Sequence, residues 1–64
     1  MRTFYYRRKS SKVHHEIKSS SSDEVVVDGL KASFPNLTLV YRFATNEEYE
    51  EMNGEQYVIL YEKG

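Results

Sequence analysis

Ser21-Ser22-Asp23-Glu24-Val25-Val26-Val27-Asp28-Gly29-Leu30-Lys31-Ala32-Ser33-Phe34-Pro35, residues 21–35, admits two readings, and the choice between them decides the fold. Read as a helix, the stretch has a start and a stop. Ser21 followed three residues later by Glu24 has capping-box spacing, Asp23 puts negative charge where the free N–H groups of a first turn point, and Pro35 blocks continuation. A helix from about Ser22 to Phe34 gathers Val26, Val27, Leu30 and Phe34 on one face. Read as a strand, three β-branched valines enter Asp28-Gly29, a type I′ hairpin signal, and Gly29 inside a helix costs about 1 kcal/mol relative to Ala. Lys31-Ala32-Ser33 continues a strand poorly, whereas the two helix-end signals agree with each other, so the helix is the reading adopted.

On the N-terminal side, Arg2-Thr3-Phe4-Tyr5-Tyr6-Arg7-Arg8 is rich in strand formers and breaks at Lys9-Ser10-Ser11, a turn. From Lys12 to Lys18 the chain alternates: Val13, His15 and Ile17 point one way, Lys12, His14, Glu16 and Lys18 the other. The two strands form an antiparallel hairpin, joined to the helix by Ser19–Ser22. On the C-terminal side, Leu37 to Ala44 is the clearest strand, with Leu37, Leu39, Tyr41 and Phe43 on one face. Thr45 and Glu48 repeat the capping-box spacing, which predicts a helical turn or two over Asn46–Met52, closed by Asn53-Gly54. Gln56 to Tyr61 is the last strand; being apolar on both faces, it is expected in a central position or beneath a second covered surface. The fold class is therefore α+β, one domain over residues 1–64, in the order β-β-α-β-β. Its sheet is four-stranded and mostly antiparallel, with one helix on one face and the other face bare.

Composition bounds what such a domain does. With 64 residues and no cysteine, the chain has no disulfide or zinc thiolate to staple it, and a domain of this size buries only ~60% of its unfolded surface. It is 39% hydrophobic with nine aromatic residues, a globular composition. The net charge of −1 conceals an asymmetry: residues 1–20 carry six Lys and Arg against one Glu, residues 21–64 three against nine carboxylates. The N-terminus lacks the apolar core of a secretory signal and no run reaches membrane-spanning length, so a soluble, cytoplasmic chain is expected. A chain that begins with Met at this length is expected to be an independent gene product. Small chains of that sort include bacteriophage or mobile-element products that bind and block host proteins, an analogy of size.

No catalytic constellation stands out. On a strand His14 and Glu16 share a side and His15 does not, which leaves two ligands and no metal site. Ser19–Ser22 lack a strand-turn-helix elbow, the paired acids Glu47-Glu48 and Glu50-Glu51 read as a solvated helix face, and the three glycines form no phosphate loop. The expectation is no enzyme, no cofactor and no metal, but a non-catalytic protein-binding module acting as a small regulator or inhibitor. Tyr with Arg is the composition of protein interfaces, and six tyrosines exceed what so small a core can bury with every hydroxyl satisfied. The candidate partner-binding residues are Tyr5, Arg7, Arg8, Arg42, Tyr57 and Tyr61, with Glu47, Glu48, Tyr49, Glu50 and Glu51 on the acidic excursion. Two alternatives stand beside this reading. One is binding of nucleic acid by the Arg2–Lys18 hairpin, with Tyr5 or Tyr6 stacking on bases; the other is a homodimer closed by the bare sheet face.

Overall fold

A computed structural model describes residues 1–63 and contains six elements. These are β1 (Arg2–Arg8), β2 (His15–Ser19), α1 (Asp23–Ser33), β3 (Leu37–Phe43), α2 (Asn46–Glu51) and β4 (Tyr57–Glu62). The strands form one sheet in the order β2-β1-β3-β4, with every neighbouring pair antiparallel. The α+β architecture expected from the sequence is therefore present, including the helix over the ambiguous valine stretch.

Helix α1 begins one residue later than its capping signal implies. The cap is Ser22 and not Ser21: the Ser22 hydroxyl accepts from the Val25 N–H at 3.4 Å, and Asp23 and Glu24 occupy the first turn. Phe34 closes the helix by donating its N–H to the Leu30 carbonyl, and Pro35 follows. Val26 and Leu30 are buried, and Val27 and Phe34 pack partly against the same cluster, as the three-and-four spacing requires. The core comprises these helix residues with Phe4 and Val40 from the two inner strands and Leu37 from the start of β3.

Three strand details differ from the expectation, each for a geometric reason. First, β2 starts at His15, so Val13 is not a strand residue and is 59% exposed. The chain leaves β1 toward β3, where the Lys9 N–H donates to the Asn36 carbonyl, and residues 9–14 make a longer connection back to the sheet edge. Second, Leu37 does not share a face with Leu39, Tyr41 and Phe43. Arg7 opposes Leu39 and Arg8 opposes Leu37, so Thr38 is an extra residue, a β-bulge that turns Leu37 into the core. Third, β4 lies at the sheet edge and not in a central position. Its two-sided apolarity has another origin: Leu60 and Tyr61 pack on the core, while Tyr57 and Ile59 lie on the face away from α1.

Gly29 sits inside α1 with nothing within 4 Å of the position a Cβ would take. Gly29→Ala is thus expected to raise stability by about 0.5–1 kcal/mol through helix propensity alone. Urea unfolding checks this, and a midpoint that stays level or falls would show that α1 is not an ordinary helix there. In contrast, Phe4→Ala empties a fully buried site and is expected to cost about 3–5 kcal/mol, enough to unfold so small a domain.

Candidate functional site: the open face of the sheet

Strand alternation assigns each side chain to one of two faces. On β1, Arg2, Phe4, Tyr6 and Arg8 point toward α1, and Thr3, Tyr5 and Arg7 point away. The cross-strand register carries this outward. Tyr5 lies opposite Glu16 on β2 and Tyr41 on β3, and Tyr41 lies opposite Ile59 on β4. Phe43 pairs with Tyr57 in the next row. The face away from α1 therefore carries Tyr5, Leu39, Tyr41, Phe43, Tyr57 and Ile59, with charged residues around them.

These rings pack on one another. Tyr5 and Tyr41 stack with centroids 5.3 Å apart, Phe43 meets the Tyr5 ring edge-on at 5.8 Å, and Tyr57 lies 4.7 Å from Phe43 and 5.5 Å from Tyr41. Mutual packing leaves much of them in water: Phe43 is 49%, Tyr57 44% and Ile59 60% exposed. A depression of about 380 Å³ runs between His14, Leu39, Tyr41, Tyr57, Ile59 and Glu62. His14 reaches across from the β1–β2 connection, and its Nδ1 lies 2.7 Å from the Tyr41 hydroxyl. Burial, and then the neighbouring Tyr57 and Tyr5, hold the Tyr41 phenol above its ordinary pKa, so it stays protonated at neutral pH.

The sequence-predicted partner residues divide between this face and elsewhere. Tyr5, Arg7 and Tyr57 are on it. Arg8 and Tyr61 are on the covered side, with the Arg8 guanidinium 5.3 Å from the Phe34 ring centre and the Lys31 ammonium 5.0 Å from that of Tyr61. Glu47, Tyr49, Glu50 and Glu51 are exposed on α2, an element that buries none of its residues. Thr45 and Glu48 do form the anticipated capping box, and Asn53 and Gly54 turn the chain with positive φ angles of 57° and 87°. Adjacent residues of the basic N-terminus go to opposite faces, so Tyr6 stacks on Phe34 and His15 under the sheet and is not beside Tyr5.

Arg42 and Glu48 engage each other. Arg42 is 6% exposed, and its guanidinium forks onto two carboxylates at once. Nε and Nη2 donate to Asp23 at 2.9 and 2.7 Å, and Nη1 and Nη2 donate to Glu48, each at 3.0 Å. Nη1 also reaches the Phe43 carbonyl, and Arg2 adds a second cation to Asp23 at 2.8 Å. The Arg42 guanidinium holds Asp23 below its ordinary value; together with the Thr45 cap it brings Glu48 down to about 2. The signal for this cluster was in the sequence: Arg42 is the one charged residue in the β3 alternation, three positions before the capping Thr45.

Among the described residues no group of three His, Cys, Asp or Glu could hold a metal ion, and no helix is long and apolar enough to cross a membrane. Comparison with protein-family models, with curated proteins and with solved structures finds no match to this chain.

The carboxylate cluster makes a pH prediction. Folded-state values of Asp23 and Glu48 are depressed, so the stability they contribute is present above the ordinary carboxylate range and lost as pH falls. The urea midpoint is expected to be level between about pH 5 and 7 and to drop from about pH 4.5 toward pH 2. Glu48→Gln is expected to lower the neutral-pH midpoint and flatten the acid limb; an unchanged acid limb would show that Arg42 does not set it.

Proposed function

We propose that this chain is a non-catalytic protein-binding module whose partner covers the open face of the sheet. The observation that carries the reading is the cluster of exposed aromatic and aliphatic side chains centred on Tyr41, with Phe43, Tyr57 and Ile59 between 44% and 60% exposed. Aromatics of this kind are the anchors of protein interfaces, and the charges beside them are of both signs: Arg7 and Lys18, Glu16 and Glu62. A mixed rim suits another protein better than a phosphate backbone. Tyr5 is also stacked on Tyr41 and not splayed to receive a base.

The occupant we favour is a different protein and not a second copy. Three strands about 4.8 Å apart and three same-face rows about 7 Å apart make a patch of roughly 300 Å². A stable dimer buries about 800 Å² on each side, so two such patches laid together fall short unless the contact extends well beyond them. A larger surface can reach past the aromatic patch to the charged rim. A module without catalytic groups acts on its partner by occupying surface, which is the action of a regulator or inhibitor.

The test is comparative. Ile59 is exposed on an edge strand, so Ile59→Asp is expected to keep the fold while weakening partner capture about tenfold or more. Circular dichroism verifies the fold, and light scattering on dilution is expected to give the mass of one chain. Retention of the same proteins by Ile59→Asp, or a dimer that this substitution dissociates, would overturn the reading. Binding of single-stranded nucleic acid that collapses with added salt while no protein is retained would transfer the function to the alternative class.

A further inference from the structure

At the end of the sheet remote from α2, where β1 ends, β3 begins and β4 leaves, there is a cleft of about 290 Å³ lined by Arg7, Lys9, Asn36, Leu37, Thr38 and Lys63. Three of its six lining residues are cations. Their backbones are fastened together: the Lys9 N–H donates to the Asn36 carbonyl at 2.8 Å, the Lys63 N–H to the Thr38 carbonyl at 2.9 Å, and the Thr38 hydroxyl to the Arg7 carbonyl at 3.1 Å. Leu37, 2% exposed, anchors the cleft to the core. The positive charges are thus mounted on fixed backbone and not scattered on a mobile tail.

None of these three is in an ion pair with a described residue, and what separates them from Arg8, Lys12, Lys18 and Lys31, which are in none either, is that they line one cleft. Among the described residues the ion pairs are Arg2 with Asp23 and Arg42 with Asp23 and Glu48, all toward the opposite end of the sheet. Arg7 donates one N–H to the Ser11 carbonyl, which leaves most of its five donors free. Glu62, the carboxylate next in register, lies opposite Leu39 and lines the neighbouring aromatic depression. Like charges converging without relief raise the local potential, and an anion entering the cleft lowers it while gaining charge-assisted hydrogen bonds.

We propose that this cleft is a binding site for an oxyanion, a phosphate or carboxylate group, with Arg7, Lys9 and Lys63 supplying charge and Asn36 and Thr38 offering neutral polar contacts. The site does not depend on the aromatic face. Titration of the ¹⁵N-labelled chain with inorganic phosphate, and separately with a triglutamate peptide, at low ionic strength tests it. Saturable shifts are expected at the amides of Lys9, Asn36, Thr38 and Lys63. Lys9→Ala combined with Lys63→Ala is expected to weaken binding about tenfold, whereas Lys12→Ala with Lys18→Ala, which removes equal charge elsewhere, changes it less than about twofold. Ile59→Asp is expected to leave it intact, so failure of the partner interface and failure of this site are distinguishable. Saturation by phosphate alone assigns a phosphate group, and saturation by the peptide alone assigns a carboxylate. Equal weakening by the two double variants, shifts spread over Lys12, Lys18 and Lys31, or no saturable binding of either probe would overturn the proposal.

Discussion

A single eleven-residue helix covers a four-stranded sheet, and that ratio governs the rest of the molecule. A helix of that length is about 16 Å long and 10 Å wide, enough to shield one side of a sheet about 19 Å across. Everything that packs on α1 comes from that side: Phe4, Leu37 and Val40 are buried there. Side chains on the other side have only each other. They respond by stacking, and aromatic pairs at these separations contribute about 0.5–1.5 kcal/mol each beyond the area they hide. Stacking orders the rings without removing them from water, which leaves a stiff, preformed apolar surface. Preformed surfaces bind at lower entropic cost than flexible ones.

Arg42 looks out of place on the covered side, in a strand whose neighbours on that face are apolar. Burying a guanidinium costs several kcal/mol unless its donors are satisfied. Here five hydrogen bonds satisfy it, four of them to carboxylates from the first turn of α1 and from α2. The planar fork of arginine matches two carboxylates side by side, which a lysine ammonium does not. The cluster also serves an orienting role. Asp23 fixes where α1 enters over the sheet, and Glu48 ties down a second helix that buries nothing of its own. Without Arg42, two carboxylates would face each other across the same gap.

Local signals were legible and long-range ones were not. The helix over the valine stretch, the Thr45–Glu48 capping box and the Asn53-Gly54 turn follow from residues within four positions of each other. The bare face also followed, because it needs only the number of helices and strands. Pairing across the sheet lies beyond such rules. Nothing near Tyr41 announces His14, 27 residues earlier, and nothing near Lys9 announces Lys63. The error over β4 has the same root: two-sided apolarity indicates that both faces meet apolar neighbours, and an edge strand beside an aromatic cluster satisfies that as well as a central strand does.

The two register shifts show how small departures from regularity assign function to a strand. In an unbroken β3, Leu37 would join Leu39, Tyr41 and Phe43 on the open side, and the core would lose a side chain that is now 2% exposed. The extra Thr38 prevents this by reversing the alternation at the start of the strand. On β4, Leu60 is the extra residue between Ile59 and Tyr61, so the strand gives Ile59 to the open face and Leu60 and Tyr61 to the core. The inserted Thr38 also donates its hydroxyl to the Arg7 carbonyl and lines the cleft that Lys9 and Lys63 flank. One added residue therefore turns Leu37 into the core while Leu39, Tyr41 and Phe43 stay on the open face, and its own side chain lines the cationic cleft, so the core and the cleft meet at a single local irregularity.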